Sequence, residues 1–364
     1  MTHNTNQGSA SNDVTGRTSA RRPFLKTVGG GILATTLAGC LGDGGSTEPA
    51  SGDGGESEEV SMTIASAFSE DHVLIAGAAQ KFKEIVEEES GGKFTVQISP
   101  GGAYGAEDEI SELTAEGGIE AHSGGTFPFL QYAPKYFFFA NPFVMKDFDH
   151  ILRLHESDLM EEGYSKIVEN GNQRPVGNMV YRGARHLCTK EKTGAVNTPE
   201  DIEGLTLRVA EIPPWVQVFS EIGFDTAAIT WTEVYSALQT GTADSVEAPP
   251  GALNSAQLYE VFAHLNITSH QITTGNIYFN EDFYQGLDKT YQDLVQQASA
   301  KATDHASQMA KEQEQSYIDT FKSEYNIAVN KSADRAAFTS AAEPAIKKLF
   351  DEKWAHTWED VQNV

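Results

Sequence analysis

Between residues 60 and 116 the chain changes hydrophobic period several times, and this alternation restricts the fold more than any other feature of the sequence. Residues 60–66 and 94–99 are short β-type runs, whereas residues 72–89 and 107–116 carry helical patterns. A strand, helix, strand, helix order points to an α/β sheet rather than a sandwich or a helical bundle. The pattern continues downstream. Strands are expected over 175–181 and 186–189, and a buried strand over 205–209 follows a short helical turn at Pro199-Glu200-Asp201-Ile202. Thr230 and Glu233 have capping-box spacing at the start of a helix over 233–240, which Gly241 stops. After strands over 266–273 and 276–280 comes a helical region from about 281 to 323, long enough to cross from one lobe to another.

Upstream of this pattern, residues 42–59 consist almost wholly of Gly, Ser, Asp and Glu. Such a composition buries no core and forms an extended, flexible tether. The 305 residues from Val60 onward suffice for two lobes of ordinary size. Ahead of the tether, Arg21-Arg22-Pro23-Phe24-Leu25-Lys26 is a twin-arginine patch before a weakly apolar stretch, 27–39. That stretch falls short of the roughly 20 apolar residues of a membrane-spanning helix and reads as an export signal. Leu37-Ala38-Gly39-Cys40 resembles a lipobox, which implies cleavage before Cys40 and its lipidation as a membrane anchor; the alternative is an ordinary free thiol. Cys188 is the other cysteine, so no intrachain disulfide forms if Cys40 is lipidated, and a lone cysteine of this kind is usually a small buried apolar residue.

Charge narrows the partners. The chain has 52 acidic and 26 basic side chains, a net charge of −26. Residues 1–39 hold Arg17, Arg21, Arg22 and Lys26 against the single acid Asp13, so the remainder carries 51 acids and 22 bases, a net −29. Nucleic acid and anionic lipid surfaces are poor partners for such a field. The composition resembles that of haloarchaeal proteins, in which salt screens the self-repulsion of an acidic surface. Acidic runs such as Glu87-Glu88-Glu89 are read as solvated surface.

Two blocks carry a family resemblance. Residues 197–209 end in Gly204-Leu205-Thr206-Leu207-Arg208-Val209, and residues 231–247 read Trp-Thr-Glu-Val-Tyr-Ser-Ala-Leu-Gln-Thr-Gly-Thr-Ala-Asp-Ser-Val-Glu. Together with Gly101-Gly102-Ala103-Tyr104-Gly105-Ala106-Glu107, these resemble the DctP-type solute-binding proteins of TRAP transporters. The resemblance implies an α/β fold of the two-lobed periplasmic-binding-protein kind, type II-like, with hinge strands and a long lobe-crossing helix. It implies lobe I at 60–182 plus 273–310 and lobe II at 183–272 plus 311–364, behind the signal at 1–39 and the lipidated linker at 40–59. The implied partners are a small carboxylate and TRAP permease subunits, with contact to the membrane through the lipid alone; the protein is expected to be a monomer.

The resemblance makes Arg208 the ligand-binding arginine. On an otherwise apolar strand its guanidinium needs a partner, and its planar fork suits a carboxylate. An internal Asp or Glu would serve equally from the residues alone. Arg185 matches a second family arginine, with Arg182 its rival. Trp231 falls where the family sets an aromatic ring against the ligand, or else packs in the core. Thr126 and Phe127, Phe68 and Ser69 match pocket loops, and Glu247, which closes the second block, is implied as a further ligand contact. Sialate-binding relatives have asparagine where this chain has Ala248, and Pro249-Pro250 follows, which favours a smaller or more apolar acid.

Rival functions leave less trace. A secreted enzyme would need catalytic spacing, yet the chain has no Gly-x-Ser-x-Gly elbow, no His-Glu-x-x-His and no zinc-spaced Cys/His set; no catalytic residue, metal or cofactor is assigned. A binding protein for an ABC importer or a sensor is the nearer alternative.

Overall fold

The computed structural model describes residues 59–364 of the chain; the twin-arginine patch, the lipobox with Cys40 and nearly all of the tether lie outside the described residues. The described chain builds one nine-stranded mixed sheet. Its strands are β1 (Val60–Ala65), β2 (Phe94–Ser99), β3 (Ala121–Gly124), β4 (Gln173–Thr189), β5 (Thr206–Val209), β6 (Asp225–Ala228), β7 (Ser245–Ala248), β8 (His264–Asn280) and β9 (Ala328–Asn330). The order is β2-β1-β3-β8-β4-β7-β5-β6, with β9 beside β8.

This order contains two parallel groups. Strand β1 runs parallel to β2 and β3, and β5 runs parallel to β6 and β7, with helices between successive strands of each group. The long strands β4 and β8, 17 residues each, pair antiparallel and stitch the groups together. A two-lobed α/β sheet with crossing strands follows from that arrangement.

Each crossing strand reads in the sequence as two short pieces because its alternation is interrupted. Register shifts fall between Val176 and Val180, Tyr181 and Ala184, and Arg185 and Leu187. Such bulges re-aim side chains without ending the strand. Gly177 lies at one of them with φ +84°, and a Cβ there would sit 2.7 Å from the Ser299 backbone, so glycine permits both the backbone angle and the close approach.

The long helix spans Lys289–Ser323, about 52 Å at 1.5 Å per residue. It starts later than the sequence suggests. The side chain of Asp288 accepts a hydrogen bond from Tyr291 N at 2.8 Å and caps the new helix, after a separate short helix, Glu281–Gly286. Ala298, Ala302, Ala306 and Ala310 recur every fourth residue as a smooth buried stripe. The segment expected to be a helix over 72–89 opens as a π-helical turn, Leu74–Ala79, before the α-helix Gln80–Glu89; its Gly77 packs on Ala306, where a Cβ would come within 2.8 Å of the Ala306 Cα.

At 230–233 the capping-box expectation meets a different geometry. Residues Trp231–Glu233 form a 3₁₀ turn ahead of the helix Val234–Thr240, and Thr230 Oγ1 meets the Glu233 carboxylate at 3.3 Å instead of a backbone amide. Gly241, at φ +85°, ends the helix as expected. Among the described residues no helix is long and apolar enough to cross a membrane.

Candidate ligand-binding cleft

Where the two parallel groups meet, a cleft of about 1100 Å³, its open mouth included, is lined by residues of both groups and of the crossing strands. Phe68, Glu107, Thr126 and Phe127 come from loops and a helix start beside β1 and β3. Arg208, Trp215 and Trp231 come from the β5–β7 side, and Arg182, Arg185, Gln271 and Thr273 from β4 and β8. Thus Arg208, Arg185, Trp231, Thr126, Phe127 and Phe68 converge on one cavity although their positions span 163 residues.

Three guanidinium groups share this cleft, and their partners differ. Arg208 is only 2% exposed, yet its Nε and Nη2 donate to one backbone carbonyl, that of Ile229, at 2.8 and 2.5 Å. No carboxylate of the described residues lies within ion-pair distance of it. Burial lowers its pKa to about 10, so it remains a cation at neutral pH. Its guanidinium carbon stands 5.5 Å from the centre of the Trp231 ring. Among the described residues two large apolar core clusters flank the cleft, a first that includes Phe82, Phe138 and Trp215 and a second that includes Val234, Leu238 and Val246; Trp231 is half-buried and packs on both while lining the cleft.

Arg185 has the internal acid that Arg208 lacks. Its Nε bonds Glu247 Oε2, and its Nη2 bonds Glu247 Oε1 at 2.6 Å and the Glu247 carbonyl at 2.8 Å. Glu247 is fully buried. Burial alone would raise its pKa, but Arg185 and His270 hold it down to about 2. His270 Nε2 stands 3.2 Å from Glu247 Oε2, and its Nδ1 stands 2.8 Å from Thr268 Oγ1. Glu247 therefore lies behind the cleft wall, gripping Arg185. Strand alternation explains its direction: Val246 and Ala248 point into the second core cluster and Glu247 points the other way.

Arg182 also lines the cleft. Its contacts are loose, 3.4 Å to the Thr274 carbonyl and 3.4 Å to His72 Nε2, with its guanidinium 4.4 Å above the Phe68 ring. Glu107 joins it across Gly125, whose amide donates to Glu107 Oε1 at 2.8 Å. Burial raises the pKa of Glu107, and the charge of Arg182 opposes that rise.

Three sequence expectations meet a different placement here, the first being Glu247, which the resemblance implies as a ligand contact but which is fully buried, is not among the residues lining the cleft and grips Arg185 instead. Ser69 turns to Asp71, at 2.6 Å, and is not among the residues lining the cleft. Ala248 is fully buried in the second core cluster, so its missing polar group does not shape the cavity and the argument from it for an apolar acid falls away. Trp215 and Gln271 escaped sequence reasoning. Trp215 lies under the Arg185 guanidinium at 5.0 Å, and its Nε1 donates to the Ala140 carbonyl at 2.8 Å, which also accepts from Gln271 Nε2 at 2.7 Å. The one sequence signal for Trp215 is its place just after Pro213-Pro214, a helix start that follows the Arg208 strand.

Residues 64–353 match the DctP family, described as bacterial extracellular solute-binding protein, family 7. The chain belongs to that family. It is 27% identical over 273 residues to the sialic acid-binding periplasmic protein SiaP of Vibrio cholerae, covering 75% of this chain and 83% of that protein. It is 29% identical over 295 residues to the ectoine/5-hydroxyectoine-binding periplasmic protein UehA of Ruegeria pomeroyi, covering 78% and 84%. Among solved structures, a TRAP periplasmic solute-binding protein of Bordetella bronchispeptica superposes with a TM-score of 0.76 at 27% identity, over 84% of this chain and 99% of that one. The family fold is the two-lobed α/β architecture described above. Among the described residues no group of three or more His, Cys, Asp and Glu side chains is arranged to hold a metal ion.

Proposed function

We propose that this protein is the extracytoplasmic solute-binding component of a TRAP transporter and captures a small organic carboxylate between its lobes for delivery to the membrane permease. One observation carries the reading: Arg208 is buried, charged and in the cleft wall, with a backbone carbonyl for its nearest partner and no ion-paired acid among the described residues. A buried guanidinium is costly unless its charge is met, and a ligand carboxylate meets it through two parallel hydrogen bonds. Family relatives named for binding sialic acid and 2,3-diketo-L-gulonate, and the Bordetella structure with density interpreted as pantoate, are consistent with an acid ligand.

Residues 60–182 plus 273–310 and 183–272 plus 311–364 are the proposed lobes. Thr126, Phe127, Phe68, Trp231 and Arg185 are the proposed cleft contacts around Arg208, and Glu247 acts through Arg185. The protein acts by binding, without catalysis. A thermal-shift screen of organic acids in molar salt tests this reading, because a ligand at a hundredfold excess over its Kd adds about 2.7 kcal/mol of stability. A screen in which sugars or amines raise Tm and no carboxylate does would sink it.

Export through the twin-arginine signal and lipidation at Cys40 complete the proposal, with the acidic tether holding the domain off the outer face of the cell membrane. Cys40→Ser is expected to release the protein into the medium while ligand affinity stays unchanged. Fractionation and calorimetry check the two halves separately, and retention in the membrane fraction contradicts the anchor.

The net −29 of the chain after residue 39 is the basis for proposing a salt-adapted, monomeric protein. The Debye length is about 3 Å in molar salt and about 10 Å at 0.1 M, so repulsion among surface carboxylates grows as salt is withdrawn. Tm is expected to fall steeply from molar to decimolar potassium chloride, with one copy per particle by light scattering in molar salt. A flat profile would count against salt adaptation.

A further inference from the structure

Resting on the capture reading, we infer that Glu314, on the long helix and outside the cleft, is a positioning residue: it holds the bulged stretch of β4 and through it sets Arg182 and Arg185 in the cleft wall. Two register shifts bracket these arginines. At the first, between Tyr181 and Ala184, Arg182 and Gly183 bulge from β4; at the second, β8 loops out over 267–270 opposite His186. Bulges free backbone groups from the ladder and re-aim side chains, so something other than strand pairing has to hold this stretch. One face of the long helix does so. Thr303 Oγ1 accepts from the Asn178 amide and Ser307 Oγ from the Tyr181 amide, each at 2.9 Å. The spacing 303, 307, 314 keeps Glu314 on the same side of the helix.

Glu314 reaches residues on both sides of the bulge. Its Oε2 accepts from the Tyr181 hydroxyl at 2.5 Å, and its Oε1 stands 4.0 Å from His186 Nε2. Between the two, Gly183 turns at φ +109°, and a Cβ there would lie 3.8 Å from Glu314 Oε2. His186 extends the hold to β8. Burial lowers its pKa to about 3, so the ring is neutral, and its Nδ1 accepts from the Ser269 amide at 3.2 Å. That bond leaves the ring hydrogen on Nε2, facing Glu314. Arg182 depends on this support, because its own contacts are 3.4 Å long and its Nε has no hydrogen-bond partner among the described residues. The backbone therefore decides where its guanidinium sits. Glu314 is not among the residues lining the ligand cleft; it lines a second cavity of about 380 Å³, opening included, that shares Arg182 with the cleft.

Arginine Nε–H resonances of the ligand-free protein, recorded by NMR in molar salt, test the assignment without a solute. Glu314→Ala and Tyr181→Phe are each expected to shift the Arg182 and Arg185 signals. Glu314→Gln, which still accepts from the Tyr181 hydroxyl, should return them most of the way. Arg174, ion-paired with Glu281 near the start of β4, should stay unmoved in all three. Val86→Ala, a core truncation on another helix, controls for general destabilisation: it should lower Tm and leave both signals in place. Calorimetry with pantoate, the acid named for the Bordetella structure, reads the consequence. Where the wild type binds it, Glu314→Ala should bind about fivefold or more weakly. Adding Tyr181→Phe should weaken binding no further, since both substitutions cut one link. Signals that do not move in Glu314→Ala, or that move as far in Val86→Ala, overturn the positioning role whether or not pantoate binds, and so does wild-type affinity in Glu314→Ala. Shifted signals without pantoate binding by the wild type support the positioning and leave capture to the acid screen.

Discussion

Arg208→Ala is expected to weaken carboxylate binding roughly thirty-fold or more while leaving the ligand-free protein as stable as the wild type, or slightly more so. Removing one partner of a buried, hydrogen-bonded charge pair costs about 2 to 5 kcal/mol, and about 1.4 kcal/mol is tenfold in affinity. In the ligand-free fold, however, Arg208 meets no carboxylate of the described residues at ion-pair distance; its contacts there are the Ile229 carbonyl and the Trp231 ring. A buried cation so placed opposes folding, and truncating it removes that opposition. Arg208→Lys keeps the charge without the planar fork and should also bind markedly less well than the wild type. Calorimetry with the best acid from the screen, beside melting of the ligand-free variants, reads both quantities. Unchanged affinity in Arg208→Ala would remove the foundation of the functional proposal.

Glu247→Ala is expected to act in the opposite sense, with a fall in Tm of several degrees before any ligand is added. It strips the counter-ion from Arg185, which remains buried against Trp215, and breaking a buried pair in this way costs about 3 to 5 kcal/mol. The same pair gives a pH signature. The Glu247 carboxyl is held at about 2 in the fold against an ordinary value of 4.5, so its contribution to stability is complete above about pH 4.5 and is lost as pH falls towards 2. Melting across that range should show a shallower acid slope in Glu247→Gln than in the wild type. Equal slopes, or a Glu247→Ala protein as stable as the wild type, would mean that the pair does not hold Arg185 in place.

The contrast between these two arginines marks how far the sequence could be read. Arg208 stands out because a lone guanidinium interrupts an apolar strand, and the short β5 formed where that pattern placed it. Arg185 gave no such signal of its partner. Glu247 is 62 residues away, and the two meet because β7 pairs antiparallel with β4, opposite Leu187. Pairing register is set by the whole sheet and leaves no local trace. The crossing strands were visible as fragments because bulges at Gly177 and near Arg182 broke their alternation, and those same bulges help turn Arg182 and Arg185 into the cleft wall. Ala248 shows the reverse error: a motif position suggested a pocket role, but alternation along β7 sends its side chain into the core.

The placement of the tryptophans gives this protein an optical handle on its own occupancy. Of its four indoles, Trp215 and Trp231 line the cleft beneath arginine guanidinium groups, whereas Trp354 and Trp358 pack with Phe350 near the C-terminus. A solute entering the cleft changes the polarity and charge around the first pair and leaves the second as a constant background. Intrinsic emission can therefore be titrated without a dye. Substituting Trp231 or Trp215 by phenylalanine, one at a time, assigns the signal to one wall of the cleft or the other.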